Sequence, residues 1–172
     1  KDAAIALEYY RRGAETGSNP CKLALHRLYR EGVELPKDPV EAERHGRAAA
    51  ESGDAEAAFE LGLFYERYSG DTPEWLRASE WMRTASERGH AAAALRLAEY
   101  HFEGRLGPVN SAEGVRLLRV AAGLGSAEAC FRIGEAYREG THLPRDAVAS
   151  TAWFARAAEA GLASAENAYG LA

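Results

Sequence analysis

The chain has few of the residues that build metal centres and disulfide frameworks. It contains two cysteines among 172 residues, Cys21 and Cys130, and no CxxC sequence. The two are far apart in the sequence, which is not the spacing of a metal-ligand motif, and in an elongated array they would lie in different layers. The sequence therefore indicates neither a metal site nor a disulfide, and the cysteines do not identify the compartment.

Long hydrophobic runs are also lacking. No apolar stretch approaches the roughly 18 residues that a membrane-spanning helix needs, so we expect no direct membrane insertion. The net charge of −5 comes from 21 basic and 26 acidic residues that are mixed along the chain. Surfaces that bind nucleic acid or anionic membranes carry a net basic patch, so this charge argues against both kinds of partner.

What the sequence does contain is a repeat of 36 residues without insertion or deletion. It is marked by a recurring glycine: Gly17, Gly53, Gly89, Gly125 and Gly161. Eight residues after the glycine stands an apolar residue: Leu25, Leu61, Leu97, Ile133 and Tyr169. Twelve residues after it stands a tyrosine or a histidine: Tyr29, Tyr65, His101 and Tyr137. A register kept over so many copies predicts a stack of similar units.

Each copy is predicted to contain two helices. Ala57, Leu61 and Tyr65 have the i, i+4, i+8 spacing of one helix face, which predicts a first helix over roughly 54–67 and a second over roughly 74–88. Small residues inside the first helices indicate close approach of a neighbouring helix: Gly62, Ala98 and Gly134. No alternating strand pattern is present, so the chain is predicted to be all-α.

The linkers between the two helices of a copy carry helix-ending and helix-starting residues. This pattern is clearest in two linkers, EGVELPKD (31–38) and EGTHLPRD (139–146). The glycine in each is suited to end the first helix in the left-handed conformation. The proline and the aspartate that follows it are suited to open the second helix.

These features resemble the Sel-1-like repeat family, a relative of the tetratricopeptide repeat. The resemblance rests on AESGDAEAAFELGLFYE, AAGLGSAEACFRIGEAYREGTHLPRDAVAS and TAWFARAAEAGLASAENAYG and covers essentially the whole chain. It implies an all-α fold, an α/α right-handed superhelical solenoid whose concave face is lined by the first helix of each pair. It also implies a single repeat domain with partial copies at its ends: 1–16, 17–52, 53–88, 89–124, 125–160 and 161–172.

The resemblance also implies a role in protein–protein interaction, without catalysis and without a cofactor. The partner would be another protein, such as an envelope, secretion or signalling component. The alternative is an immunity protein that neutralises a cognate toxin by direct binding. The compartment stays open, although the resemblance favours the periplasm or the cell envelope. Since solenoid ends need polar caps, we expect missing residues to cap the ends or the chain to be a fragment.

The residues that could carry chemistry have a simpler explanation in the repeat. His26, His45 and His101 occupy positions that other copies fill with packing residues, and no HExxH or Cys/His cluster is present. The stretch GLGSAEA (123–129) resembles a phosphate-binding loop, but a predicted helix precedes it where that loop needs a strand. We therefore predict no catalytic, cofactor-binding or metal-binding residue.

A binding surface is predicted from the positions that vary between copies. The third, seventh and tenth residues after the repeated glycine share one face of each first helix. We call this set the first-helix stripe, and its candidate partner-binding members are Arg27, Glu56, Glu60, Leu63, Arg96, Glu99, Glu128, Arg132 and Glu135. Its charges could pair with a partner surface. The alternative is an ordinary solvated face with pairs within each helix.

A second candidate surface is the altered turn of copy two. Tyr68 and Trp75 flank this turn, and neither has an aromatic counterpart in the other copies. Phe102 is a third aromatic outside the repeat pattern, where other copies carry charged residues. Aromatic residues often dominate binding energy. The alternative is local packing of a divergent loop.

Overall fold

A computed structural model of the chain describes residues 2–67 and 74–162, and within the first helix it describes side chains from residue 5 onward. All regular elements in this part are α-helices. They are α1 (Asp2–Glu15), α2 (Asn19–Glu31), α3 (Pro39–Glu51), α4 (Ala55–Arg67), α5 (Trp75–Glu87), α6 (Ala91–Phe102), α7 (Ser111–Gly123), α8 (Ala127–Glu139) and α9 (Ala147–Glu159).

The predicted architecture of helix pairs is confirmed. The tightest packing joins α2 to α3, α4 to α5, α6 to α7 and α8 to α9, and further contacts join α1 to α2, α3 to α4 and α7 to α8. The chain divides into two compact units, Lys1–Arg88 and Gly89–Ala172, at a boundary between two predicted copies. The assignment of residues 1–172 to a single repeat domain stays a prediction.

The repeated glycine connects the second helix of one copy to the first helix of the next. All five copies of it have φ between 89° and 98°, a left-handed conformation that residues with a Cβ rarely adopt. The next residue caps the following helix in three copies, because the side chains of Asp54, His90 and Ser126 accept a hydrogen bond from a backbone N–H three residues later. Glycine is therefore needed where the chain reverses direction.

The linkers within the copies behave as predicted. Gly32 and Gly140 end α2 and α8 in the left-handed conformation, with φ of 72° and 79°. Asp38 then accepts hydrogen bonds from the first backbone N–H groups of α3, and Asp146 does the same for α9. The prolines of both linkers lie two residues before the capping aspartate.

Helix packing within a copy depends on a small residue facing a large one. The two positions lie nine and twenty-nine residues after the repeated glycine, and the pairs in contact are Gly62 with Met82, Gly134 with Phe154, and His26 with Gly46. A Cβ built on Gly134 would lie 2.7 Å from the Phe154 ring. The predicted close approach of helices at Gly62 and Gly134 is confirmed, and in copy one the small and large residues have exchanged helices.

This packing predicts that Gly134→Ala lowers the free energy of unfolding by about 1–2 kcal/mol, although alanine is the better helix former. The rigid ring of Phe154 cannot retract from the added methyl group. At Gly62 the neighbour is the flexible side chain of Met82, so Gly62→Ala should cost less. Urea unfolding followed by circular dichroism measures both changes.

The chain itself supplies the matched rescue for this experiment. Copy three carries Ala98 and Leu118 at the same two positions, so adding Phe154→Leu to Gly134→Ala should recover most of the lost stability. If Gly134→Ala and Gly62→Ala lower the free energy of unfolding by the same amount, the rigidity of the Phe154 ring does not limit the packing.

Candidate functional site

The first-helix stripe of the first unit is organised around Glu60 on α4. This carboxylate is buried. Its Oε1 accepts hydrogen bonds from Nε of Arg27, at 2.7 Å, and from Nη2 of the same guanidinium. Its Oε2 accepts one from Nη1 of Arg30, at 3.0 Å. Both arginines belong to α2, so Glu60 connects the first helices of two consecutive copies.

Apolar side chains lie beside this bridge. Leu63 and Phe59 are half-buried on the same helix as Glu60, and Glu56 lies 3.6 Å from Nη2 of Arg27. Together they border an open cleft of about 330 Å³, lined by Arg30, Glu31, Glu56, Phe59, Glu60, Leu63 and Arg67. The cleft therefore places two apolar side chains, Phe59 and Leu63, among five charged ones.

The second unit repeats the arrangement with the charges exchanged. Glu99 on α6 accepts a hydrogen bond from Nη1 of Arg132 on α8, at 2.6 Å, and one from Nη1 of Arg96, at 2.8 Å. Nε of Arg132 also donates to Glu128, at 2.8 Å. Glu135 lies 3.4 Å from Arg138. Here the acid belongs to the earlier helix and the arginine to the later one.

The stripe residues thus form two clusters, one in each unit. Arg27, Glu56, Glu60 and Leu63 lie in the first, and Arg96, Glu99, Glu128, Arg132 and Glu135 lie in the second. Many of the charges pair with each other, both within one helix and between consecutive first helices. Their role in binding a partner stays a prediction.

A second polar network, which the sequence analysis missed, surrounds the buried Tyr65. The Tyr65 hydroxyl donates to Oε1 of Glu43, at 2.7 Å, and accepts from Arg47 and Arg77, at 2.9 and 2.7 Å. Both arginines also bond to the same carboxylate oxygen. Burial, together with the Glu43 carboxylate, raises the pKa of Tyr65 to about 12, so this phenol stays neutral at physiological pH.

The sequence held a signal for this network. Arginine recurs on the second helices with the period of the repeat: Arg11, Arg47, Arg83 and Arg119. Each precedes the tyrosine or histidine position of the next copy by eighteen residues. Arg11 donates to the Tyr29 hydroxyl and Arg119 to the Tyr137 hydroxyl, both at 3.2 Å. A recurring bond from a second helix to the next first helix therefore joins consecutive copies.

The aromatic candidates have separate outcomes. Tyr68 lies outside the described residues. Trp75 is the first residue of α5 and is half-buried, and its role in binding stays a prediction. Phe102 packs against Gly114, where an added Cβ would overlap its ring, and stacks on His142 at 4.3 Å between ring centroids. Phe102 is thus explained by local packing.

The positions considered for chemistry lie at packing sites and turns. His26 is fully buried against Gly46, and GLGSAEA forms the turn in which Ser126 caps α8. Within residues 2–67 and 74–162, no group of three or more His, Cys, Asp or Glu side chains could hold a metal ion. No helix in the same part of the chain has the length and apolar character needed to cross a membrane.

Solved structures with the same fold include a protective antigen of uropathogenic Escherichia coli that displays an SLR fold. It is 33% identical, with a TM-score of 0.83 over 96% of this chain and 35% of its own length. A Sel1 repeat protein from Oxalobacter formigenes is 25% identical, with a TM-score of 0.81 over 96% of this chain and 67% of its own. An immunity protein from Pseudomonas aeruginosa shares the fold at 19% identity, with a TM-score of 0.55 over 92% of this chain and 59% of its own.

No curated protein matches the chain significantly. The chain spans about a third of the length of the Escherichia coli antigen. The family model for the Sel1 repeat matches five consecutive segments, residues 1–18, 21–54, 55–90, 91–126 and 127–162. Together with the all-α helix pairs and the structural neighbours, these matches confirm the predicted solenoid class, and the chain belongs to the Sel1 repeat family.

Proposed function

We propose that this chain is a non-catalytic module that binds a partner protein through its first-helix stripe. The observation that carries the proposal is the cleft of the first unit, where Phe59 and Leu63 lie beside the bridge formed by Glu60, Arg27 and Arg30. Aromatic and apolar side chains within a polar rim are typical of binding hot spots.

The ion pairs support this proposal by ordering the surface before the partner arrives. Side chains that are already held in one geometry lose less conformational entropy on binding. Since Glu60 holds two arginines of the preceding first helix, the spacing of the cleft is set within this unit. A partner would then gain affinity from contact with Phe59 and Leu63 and orientation from the charges around them.

A general scaffold is the first form of this function, and an immunity protein is the second. The second form is considered because immunity proteins from Pseudomonas aeruginosa are among the structural neighbours. The two forms differ in the number of partners. A scaffold would bind several proteins with modest affinity, whereas an immunity protein would bind one toxin tightly.

Site-specific photo-cross-linking tests the surface and distinguishes the two forms. The photoreactive residue p-benzoylphenylalanine is placed at Leu63 or Glu135 on the stripe. As matched controls it is placed at Val40 or Val148, which are 74% and 82% exposed on second helices. In a lysate of the source organism, the stripe positions should give discrete cross-linked partners and the controls none. One dominant product supports the inhibitor, and several support the scaffold.

A substitution then measures the contribution of Leu63 to binding. Leu63→Asp should weaken the affinity for the cross-linked partner by about tenfold or more, as expected for loss of a central apolar contact. Val40→Asp should leave the affinity unchanged. Cross-linking at Val40 with none at Leu63 would move the interface away from the stripe and contradict the proposal.

A further inference from the structure

A buried titratable group, His26, lies at the contact between α2 and α4, the two helices that line the cleft of the first unit. Its side chain is fully buried, and its ring packs against the Phe64 ring of α4, with 5.7 Å between ring centroids. Leu63, the residue before Phe64, lines the cleft. A change at the histidine therefore acts on both helices that hold the cleft.

The His26 ring has a hydrogen-bond partner at one nitrogen. Nδ1 donates to the Ala42 carbonyl of α3, at 2.7 Å. Since a carbonyl oxygen only accepts, Nδ1 carries the proton and Nε2 is the basic nitrogen. Nε2 is buried, and within residues 2–67 and 74–162 it has no hydrogen-bond partner. In this arrangement a proton on Nε2 would have no acceptor.

The charged groups that face His26 are those of the bridge. Arg27 and Arg30 lie on its own helix, and Glu60 lies on α4. His45 of α3 is the other titratable group near the ring. Glu60 already accepts hydrogen bonds from both guanidinium groups. A proton on His26 would therefore add a third positive charge beside this carboxylate.

The ring is neutral while the bridge is closed. Burial is the main cause that lowers the pKa of His26, and the two arginines add to the shift, against the hydrogen bond to Ala42 and the Glu60 carboxylate. Protonation in acid favours an arrangement in which Nε2–H has an acceptor and the arginines are farther away. An arrangement in which Glu60 leaves the arginines for Nε2 meets both needs.

We propose that His26 is a pH switch for the cleft of the first unit: a proton on Nε2 draws Glu60 away from Arg27 and Arg30, and the cleft then releases its partner. The release rests on the proposed function, whereas the opening of the bridge does not. Since one proton is exchanged, the affinity for the partner falls by up to about tenfold for each pH unit in the acid range.

Nuclear magnetic resonance of the full chain, labelled with ¹⁵N and ¹³C, tests the opening of the bridge as the pH is lowered from 7.5 to 5. The Nε–H signal of Arg27, which donates to Glu60 at 2.7 Å, should shift with the same midpoint as the His26 ring signals. The matched control is Nε–H of Arg132, which donates to Glu128 at 2.8 Å in the second unit and should not follow that midpoint. Circular dichroism at each pH shows whether the chain is still helical.

Two variants remove the titrating group and keep its space filled. His26→Gln retains a donor for the Ala42 carbonyl. The double variant His26→Gly with Gly46→Met gives copy one the small and large pair of copy two, and it serves if the first variant does not fold. In both, the Arg27 signal should no longer titrate over this range. An Arg27 signal that ignores the His26 midpoint in the wild type, or that titrates unchanged in the variants, would overturn the proposal.

Cross-linking from p-benzoylphenylalanine at Leu63 then tests the release. In a lysate of the source organism, the yield of cross-linked partner should fall at least about fivefold between pH 7.5 and pH 5.5, and less than about twofold when His26→Gln is also present. A yield that is the same at both pH values would overturn the release. The absence of any product at either pH would instead contradict the proposed function, and the Arg27 signal would still decide whether the bridge opens.

Discussion

Replacing Glu60 by alanine is expected to lower the free energy of unfolding by about 2–3 kcal/mol. The carboxylate is buried and accepts hydrogen bonds from two guanidinium groups. The Arg30 side chain is only 18% exposed, so in this poorly solvated place its charge would keep only Glu31 as a partner, whose side chain is 51% exposed. Arg27 is 45% exposed, and water would compensate for much of its loss. Alanine is a good helix former, so helix propensity would not contribute to the cost.

The matched control for this prediction is Glu128→Ala in the second unit. Glu128 also pairs with an arginine of the stripe, but 46% of its side chain is exposed. Glu128→Ala should therefore lower the free energy of unfolding by no more than about 1 kcal/mol. Urea unfolding followed by circular dichroism measures both variants. If they cost the same, the Glu60 bridge is an ordinary solvated pair and does not hold α2 against α4.

A double-mutant cycle identifies the interaction responsible. The single variants Glu60→Ala and Arg30→Ala are compared with the double variant, and the coupling energy reports their mutual contribution. We expect it to be favourable by about 1–2 kcal/mol, because both groups are largely removed from water. The corresponding cycle for Glu60 and Arg27 should give a smaller coupling, since Arg27 is better solvated.

The period and the helices could be predicted because local chemistry determines them. A glycine in the left-handed region has to stand where a second helix ends, and Gly53 could be recognised by its recurrence alone. Asp38 and Asp146 could be recognised as caps since they directly precede a helical pattern. Such signals lie within a few residues of the structure that they specify.

The pairing of the stripe could not be predicted in the same way. The sequence indicated which residues share a helix face, but the partner of Glu60 depends on the offset between consecutive first helices, which no short window contains. A signal did exist at long range, because Arg27 and Glu60, and again Glu99 and Arg132, have opposite charges at a separation of 33 residues. The sequence analysis offered two interpretations of the stripe, a binding face or a solvated face with pairs within each helix. It did not consider ion pairs between consecutive first helices.

The prediction that His26 is a packing residue was confirmed, but the sequence analysis missed the residue that it packs against, Gly46. A histidine at a position where other copies have glycine or alanine needs space on the opposite helix, and Gly46 supplies that space. The signal was the position 29 residues after the repeated glycine, where the other copies carry Met82, Leu118 and Phe154. Only the contact in the folded chain shows that these two positions compensate for each other.

This histidine is expected to make the first unit sensitive to acid. The Ala42 carbonyl accepts a hydrogen bond from Nδ1 of His26, at 2.7 Å. Nε2 is therefore unprotonated, and within the described residues it is buried without a hydrogen-bond partner. The Phe64 ring packs against the His26 ring in a T-shaped arrangement, with 5.7 Å between ring centroids. Burial is the main reason that the pKa of His26 is lowered from 6.5. The hydrogen bond to Ala42 and the Glu60 carboxylate oppose this shift, and Arg30 and Arg27 add to it.

The sign of the pH effect follows from this lowered pKa. Between its two pKa values, His26 binds a proton in the unfolded chain and not in the folded one. The stability is therefore complete above about pH 6.5 and falls as the pH decreases below it, with a limiting slope of about 1.4 kcal/mol per pH unit for one group. His45 on α3 also has a lowered pKa because of burial, so it adds to the loss in the same direction.

A double substitution at His26 and Gly46 isolates the contribution of His26 to the loss of stability in acid. The variant His26→Gly with Gly46→Met gives copy one the pair that copy two carries as Gly62 and Met82. Since one helix gains a glycine and the other loses one, helix propensity should be nearly balanced, and at pH 8 the stability should stay within about 1.5 kcal/mol of the wild type. Urea unfolding at pH 8, 7, 6 and 5 should show a shallower loss of stability than in the wild type, with His45 contributing to the slope that remains. An unchanged slope would exclude His26 as a titrating group, whereas a collapse at pH 8 would show that the two packing arrangements are not interchangeable between copies.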